Sequence, residues 1–427
     1  MFKQDQTLAE HLHQQLEHKP WIYTQGRFES DRGVFRVRIE PLSCRNLQPL
    51  FVNQCTVGSN SEILYELSDD FSIIEKPVFA MHRYASGNVG HVFLENLNMV
   101  VTLMMQYNLV GFGKTEKDAL NNHILFLDDV FSLEGEDWMA SYKYPPQHAL
   151  KYSTQVAGLF SSNPILQLCR RRHVFSIEKS PCRNDLSRSW TRPRKVLQTC
   201  FSQFYAGLTV DLFFFPYGRE MIMTQMRNLA YTNLNIVPHP TAGEEDVKKY
   251  LQHKDLVVSI HKKPLSGKHG AAIANADELL DFLSLRLPKI PFVKDLKKKV
   301  RVELVNLGNM TIPEQVQYFS EVDVYITDQG SAVYYSMFMR DDTSVLMAPA
   351  CVEGQRCTHG VGNRMQSCAN VNFFNLLELN GEILPKCVER PVPEKSNNCD
   401  PILPFDVVFD GVKSMLKARF RKLERFW

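Results

Sequence analysis

Residues 300–349 read VRVELVNLGNMTIPEQVQYFSEVDVYITDQGSAVYYSMFMRDDTSVLMAP. Val302 to Val305 is a short strand-like run rich in β-branched residues. Ile312, Val316 and Phe319 fall at helical spacing, with Pro313 in the first turn, where its missing N–H costs nothing. Val322 to Ile326 is a compact apolar strand that runs into Thr327-Asp328-Gln329-Gly330-Ser331-Ala332. A helix is expected next, on Val333 and Met337, and then a strand that ends at Pro349. A strand that ends in small and polar residues and feeds a helix turns backbone N–H groups outward, which makes a seat for a phosphate.

The same rhythm extends on both sides. Leu256 to Ile260 predicts a strand, and Asp277 to Leu285 a helix capped by Asn275 or Asp277. Upstream, Pro77 to Arg83 and Ile124 to Leu127 read as strands, Asn88 to Met105 and Ile222 to Tyr231 as helices. Cys387 to Pro404 reads as a loop. Phe405 to Trp427 reads as an amphipathic helix on Val408, Val412, Met415, Leu416, Phe420 and Leu423. Strands alternating with helices imply parallel sheets with crossover helices, an α/β protein.

Composition narrows the function classes. The chain has 427 residues, 44% hydrophobic and 22% charged, enough for two cores. Lysine plus arginine number 49 against 47 acidic residues, a net charge of +2, which argues against a general nucleic-acid binder. The basic clusters at 170–173, 297–299 and 417–425 read as solvated faces. No window approaches about 20 uninterrupted apolar residues, so no transmembrane segment is expected, and Met1 to Pro20 shows no signal-type apolar core. None of the 10 cysteines forms a CxxC pair, so a zinc ribbon is disfavoured. Five of them lie between Cys351 and Cys399, a density that suits disulfides, with buried free thiols the other reading. Asn309-Met310-Thr311 is a glycosylation sequon.

Residues 300–349 resemble the C-terminal signature of the family 61 glycosyltransferases. In that family a strand-turn-helix centres on His-Gly-Ala, after a helix with Glu-Gln and before a strand that ends in Pro. Here Glu314-Gln315 stands in the helix and Gln329-Gly330-Ser331-Ala332 at the turn. Gly330 matches and Gln329 replaces the histidine. A second similar segment is His82 to Leu97, HRYASGNVGHVFLENL. Asn88, His91 and Glu95 match, with Glu95 where the family has Asp. His91 and Glu95 are four residues apart on one helix. They are either two titratable groups of a site or a structural pair. A third segment, Leu256 to Leu279, ends in Asn275 and Glu278-Leu279 like its family counterpart, with His261, Lys262 and Lys263 where the family has Arg.

The resemblance implies an α/β fold of the GT-B type: two Rossmann-like domains facing a cleft, with a C-terminal closing helix. On that reading 1–60 is an N-terminal extension, 61–235 the acceptor domain, 236–404 the nucleotide-sugar domain and 405–427 the closing helix. The implied activity is inverting transfer of a sugar from a UDP-sugar to a glycan or glycoprotein hydroxyl, without a catalytic metal or other cofactor. Glu95 is the expected base, with His91 beside it. His261, Lys262, Lys263, Lys268, Asn275, Gln329, Gly330, Ser331 and Ala332 are expected on the nucleotide sugar, the lysines as point charges for the diphosphate. Asn88, Asp128 and Asp129 are expected on the acceptor side, although Asp128-Asp129 also reads as a loop or helix cap. His359 is a further imidazole. The implied compartment is the lumen of the Golgi or endoplasmic reticulum. The rival readings are a non-catalytic relative that binds a glycan or protein, and an unrelated cytosolic α/β protein.

Overall fold

The computed structural model describes residues 29–30, 33–34, 72–81, 87–110, 115–126, 151–169, 173–176, 199–201, 203–206, 220–237, 255–263, 272–295, 297–352, 357, 371–380, 387–388 and 398–424. The chain divides into two units, Met1–Phe214 and Phe215–Trp427.

In the first unit β1 (Ser72–Ile74) pairs in parallel with β6 (Thr199–Phe201). A five-stranded sheet is built from β2 (Val78–Met81), β3 (His123–Phe126), β4 (Leu166–Cys169), β5 (His173–Ser176) and β7 (Phe204–Ala206). Its order is β5-β4-β3-β2-β7, parallel except for the β4–β5 pair. Helix α1, residues 89–106, follows β2. It is α-helical over Val89–His91, π-helical over Val92–Leu97 and α-helical again over Asn98–Gln106. Val92, Phe93, Leu94, Leu97, Val100, Val101, Leu103 and Met104 are all buried, so α1 is a core helix rather than a surface one. The short α2 (Glu116–Leu120) precedes β3, capped by Thr115.

The second unit holds α3 (Glu220–Leu234), β8 (Leu256–His261), α4 (Ala276–Arg286), β9 (Val300–Val305), α5 (Ile312–Phe319), β10 (Val324–Thr327), β11 (Thr343–Met347) and β13 (Val371–Asn375). Between β11 and β13 lies β12 (Cys351–Val352). The main sheet runs β9-β8-β10-β11-β13, every pair parallel. Its three central strands are buried along their whole length, as a parallel sheet covered on both faces requires. The chain steps from β8 to β9 on one side, then crosses back past β8 to β10. Strand direction of travel therefore reverses between β8 and β10.

Local chemistry explains the elements of residues 300–349. Thr311 and Glu314 form a complete capping box at the start of α5, and Pro313 sits in its first turn. Ile312, Val316 and Phe319 are fully buried. After the short α6 (Leu376–Asn380) come β14 (Cys387–Val388) and β15 (Asn398–Pro401); β15 pairs antiparallel with both β12 and β14, as the centre of a small three-stranded sheet. The final helix α7 (Phe405–Glu424) buries Val408, Val412, Met415 and Leu416 in the core that contains Ile326 and Leu346. Each such side chain contributes roughly 1.5–3 kcal/mol of burial.

Three expectations are corrected here. Cys387–Pro404 is not a loop throughout, because β14 and β15 lie in it. The turn after β10 leads into a 3₁₀ helix, Ser331–Phe338, rather than an α-helix. Its Val-Tyr-Tyr run has poor α propensity, and every residue from Ala332 to Phe338 is buried. Helix α3, expected in the acceptor domain, belongs to the second unit. Arg227 donates to Met339 O at 3.2 Å and Asp341 Oδ1 at 2.7 Å, and the Tyr231 hydroxyl donates to Phe338 O.

Candidate functional site

In an open parallel sheet, ligands bind outside the carboxyl ends of the strands where the chain reverses its direction of travel. In the second unit that place is the ends of β8 and β10. His261 is the last residue of β8, and Asp328 follows the last residue of β10. The Asp328 side chain is 1% exposed. Its Oδ2 accepts from His261 Nδ1 at 2.5 Å, and its Oδ1 accepts from Lys263 Nζ at 2.6 Å and from the Gly330 N–H at 2.7 Å. Burial by itself would raise this carboxyl, but the charges and hydrogen bonds of Lys263 and His261 hold it well below the usual carboxylate range. Asp328 is therefore an ionised acceptor. Only a donor can face it, so His261 carries its proton on Nδ1 and presents Nε2 as its second nitrogen.

The glycine at the turn has a spatial reason. Gly330 has φ −80° and ψ −171°, open to any residue. A Cβ there would lie 2.6 Å from Lys263 Nζ and 2.7 Å from Asp328 Oδ1. The missing side chain makes room for the ion pair.

The other expected nucleotide-side residues are distributed as follows. Lys262 makes a two-pronged contact with Asp277 in the first turn of α4, at 2.6 and 2.8 Å, and both side chains are exposed. Asn275 does not reach this cluster by its amide. Its Nδ2 donates to Leu403 O and its Oδ1 accepts from the Leu403 N–H, both at 2.9 Å and both buried. Asn275 thus pins the start of α4 to the lead-in of α7. Gln329 and Ser331 are half-buried beside Gly330, and Ala332 is buried. Lys268 lies outside the described residues.

On the first unit, Asn88 is the N-cap of α1, its Oδ1 accepting from the Gly90 N–H at 3.0 Å. His91 is half-buried at the start of the π-helical turn that contains Glu95. That turn closes with the Asn98 N–H donating to Phe93 O, five residues back, so His91 and Glu95 share a widened turn rather than the regular α spacing expected of them. Single π turns inside α-helices are frequent at functional sites. Asp128, Asp129 and His359 lie outside the described residues.

The sequence profile described as Glycosyltransferase 61 matches residues 89–346, more than half of the chain. The chain belongs to glycosyltransferase family 61. The match runs from the start of α1 to β11 and takes in His91, Glu95 and the whole His261–Lys263–Asp328–Gly330 cluster. No curated protein sequence matches. Among solved structures, the chain is similar to a glycosyl transferase of family 9 from Veillonella parvula, at 9% identity and a TM-score of 0.28, covering 82% of this chain and 97% of that one. It is also similar to the E. coli heptosyltransferase WaaC with ADP, at 8% identity and a TM-score of 0.28, covering 80% and 99%.

Sequence reasoning did not assign Asp328, the centre of the cluster. The available signal was its position, a carboxylate directly after an apolar strand of a parallel sheet.

Proposed function

We propose that this family 61 member transfers a hexosyl or pentosyl group from a UDP-sugar to a hydroxyl of a glycan or glycoprotein, with inversion at the anomeric carbon. The acceptor oxygen forms its bond to that carbon as the bond to the diphosphate breaks. The electron pair leaves with UDP, and the acceptor proton passes to a base. The observation that carries the reading is the cluster of His261, Lys263, Asp328 and Gly330 at the β8/β10 reversal, inside the family match. Cations beside a developing phosphate charge are what the departing UDP requires. Glu95 is the proposed base, together with His91.

UDP release measured with a panel of UDP-sugars tests the reading. Turnover with one donor is expected, and its persistence in a chelator is expected as well. Glu95→Gln should lower turnover per folded molecule by ~10²–10⁴-fold while donor binding survives. Normal turnover in Glu95→Gln removes Glu95 as the base.

A second reading has its own observation. Lys263 and the Gly330 N–H are engaged by Asp328, Lys262 by Asp277, and Asn275 by Leu403. A family member that keeps the fold and binds a glycan or protein without transfer fits that arrangement. It predicts folded protein with no turnover on any donor.

The proposed compartment is the lumen of the secretory pathway. Cys351 and Cys357 form a disulfide, Cys399 is also disulfide-bonded, and Asn309 of the sequon is exposed. Among the described residues no helix is long and apolar enough to cross a membrane. Intact mass before and after reduction, and after deglycosylation, checks this assignment. Ten free thiols would overturn it.

A further inference from the structure

We propose that the basic turn between α4 and β9, at the amino ends of β8 and β9, is an anchoring surface for an acidic glycan, a polymer with repeated carboxylates or sulfates. The inference rests on the reading above that the acceptor is a glycan.

Residues 286–301 carry seven basic side chains against one acidic, Asp295, in a chain whose net charge is +2. Their fold turns that charge outward. A 3₁₀ turn, Leu287–Lys289, leads into a one-turn helix, Pro291–Asp295. Leu287, Ile290 and Val293 are buried in the core at three-residue spacing. Arg286, Lys289, Lys294, Lys297 and Lys299 are left exposed. Among the described residues none of these five makes an ion pair; Arg286 lies over the Phe282 ring, 5.2 Å from its centroid. The other two cations are not counted, because Arg301 pairs with Glu303 at 3.0 Å and Lys298 is half-buried near the charges of Asp255 and Asp323. Residues 238–254, which lead into β8, set Glu244, Glu245 and Asp246 against Lys248, Lys249 and Lys254, an even balance.

A solvated face accounts for the exposure but not for the backbone. The Lys297 N–H donates to Lys294 O at 2.9 Å and the Lys298 N–H to Val293 O at 3.2 Å, the two bonds of a Schellman motif. Lys297 holds its left-handed position, with φ 51°, where glycine is the usual residue. A lysine there costs stability twice, through its Cβ and through repulsion from its neighbours, and such outliers point to function. Four of the five exposed cations are lysines, point charges that follow a flexible polyanion without fixed geometry. Among the described residues of 285–299, Leu285 is the one exposed large apolar side chain, too little for a membrane surface. β8 and β9 are six residues long, which puts this turn roughly 17–20 Å from the His261–Asp328 end of the sheet. The surface therefore holds the polymer and not the reacting hydroxyl.

Binding of the full chain to heparin, polygalacturonate, dextran, polyglutamate and phosphatidylcholine–phosphatidylserine vesicles, over a range of salt, tests this. Heparin offers sulfates and carboxylates, polygalacturonate carboxylates alone, and dextran no charge. One or both acidic glycans should bind, dextran should not, and affinity should fall as salt rises. Lys294→Ser/Lys297→Gly/Lys299→Ser should bind roughly 10–100-fold more weakly at low salt, with the log–log salt slope reduced by about two. Arg170→Ser/Arg171→Ser/Arg172→Ser removes the same charge elsewhere and should change little. Lys297→Gly alone should weaken binding while raising the melting temperature, so the test does not depend on the triple variant folding. Equal affinity of the two triple variants, tighter binding of polyglutamate or vesicles than of either acidic glycan, or no binding of any probe overturns the inference. If UDP release persists in that case, the transfer reading stands. No release on any donor, with glycan binding lost in the lysine variant, overturns the transfer reading and leaves this one.

Discussion

Two buried aspartates stand at opposite ends of one strand, β10. Asp323 precedes Val324, and Asp328 follows Thr327. Both are ionic hubs, but their partners differ in kind. Asp323 Oδ2 accepts from the Val257 N–H at 2.9 Å, and its Oδ1 faces Arg340 and Arg419 at 3.0 Å each. Both guanidinium side chains are buried, and they also donate to the backbone carbonyls of Glu321 and Asp341. Nothing in that set titrates near neutral pH, and the arginines are fixed by several bonds each. Asp328 instead faces an imidazole, a backbone N–H, and a lysine whose side chain is 23% exposed. An ammonium on a flexible stem can swing to water. The amino end of the sheet is thus held by fully buried arginine pairs, and the carboxyl end by a lysine pair that reaches solvent.

Unfolding measurements on both aspartates probe this contrast directly. Asp323→Asn should have the largest effect, a loss on the order of 3–5 kcal/mol, because it strands two buried arginines without their counter-charge. Denaturant titration reads it, and a loss under about 1 kcal/mol would mean that the arginines relax to solvent. Asp328→Asn should cost less, about 2 kcal/mol, since Lys263 can reach water. Equal losses at the two ends would erase the distinction drawn between them.

The pH dependence sharpens the second case. The folded carboxyl of Asp328 is held below its ordinary value, so its contribution is present above about pH 3.9 and is lost as pH falls below that toward the folded value. The stability gap between wild type and Asp328→Asn should therefore be full at pH 5 and shrink steadily below pH 4. Urea midpoints of the pair at pH 5 and pH 2.5 check the sign. A gap that widens in acid would show that the carboxyl is neutral when folded. The smallest effect belongs to Lys262→Ala, whose partner Asp277 is even more exposed than the lysine. No more than ~0.5 kcal/mol of stability should be lost. A larger loss would show that the Lys262–Asp277 contact helps to hold α4 against β8.

Much of the second unit was legible in the sequence because its strands are apolar runs and its helices carry their own start signals. β8 and β10 were expected to within two residues at either end, and α5 is marked by Thr311, Pro313 and Glu314. β13 was not legible, because its Val-Asn-Phe-Phe-Asn pattern is interrupted by polar residues and its strand character comes from pairing with β11. Nor was the 3₁₀ form of residues 331–338, which the surrounding burial imposes on a sequence without helix signals.

The site divides in the same way. The sequence by itself determined the family, the α/β class and the segments that carry the cluster, because local runs and motif residues encode those. The family resemblance placed Lys263 and Gly330 near a ligand seat, and it grouped Asn275 and Lys262 with them. Only the tertiary structure decided which side chains meet. Asp328 lies 67 residues from His261, and Asn275 lies 128 from Leu403. Parallel strands joined by crossovers bring such distant positions side by side, and no local pattern records which carboxylate answers which cation.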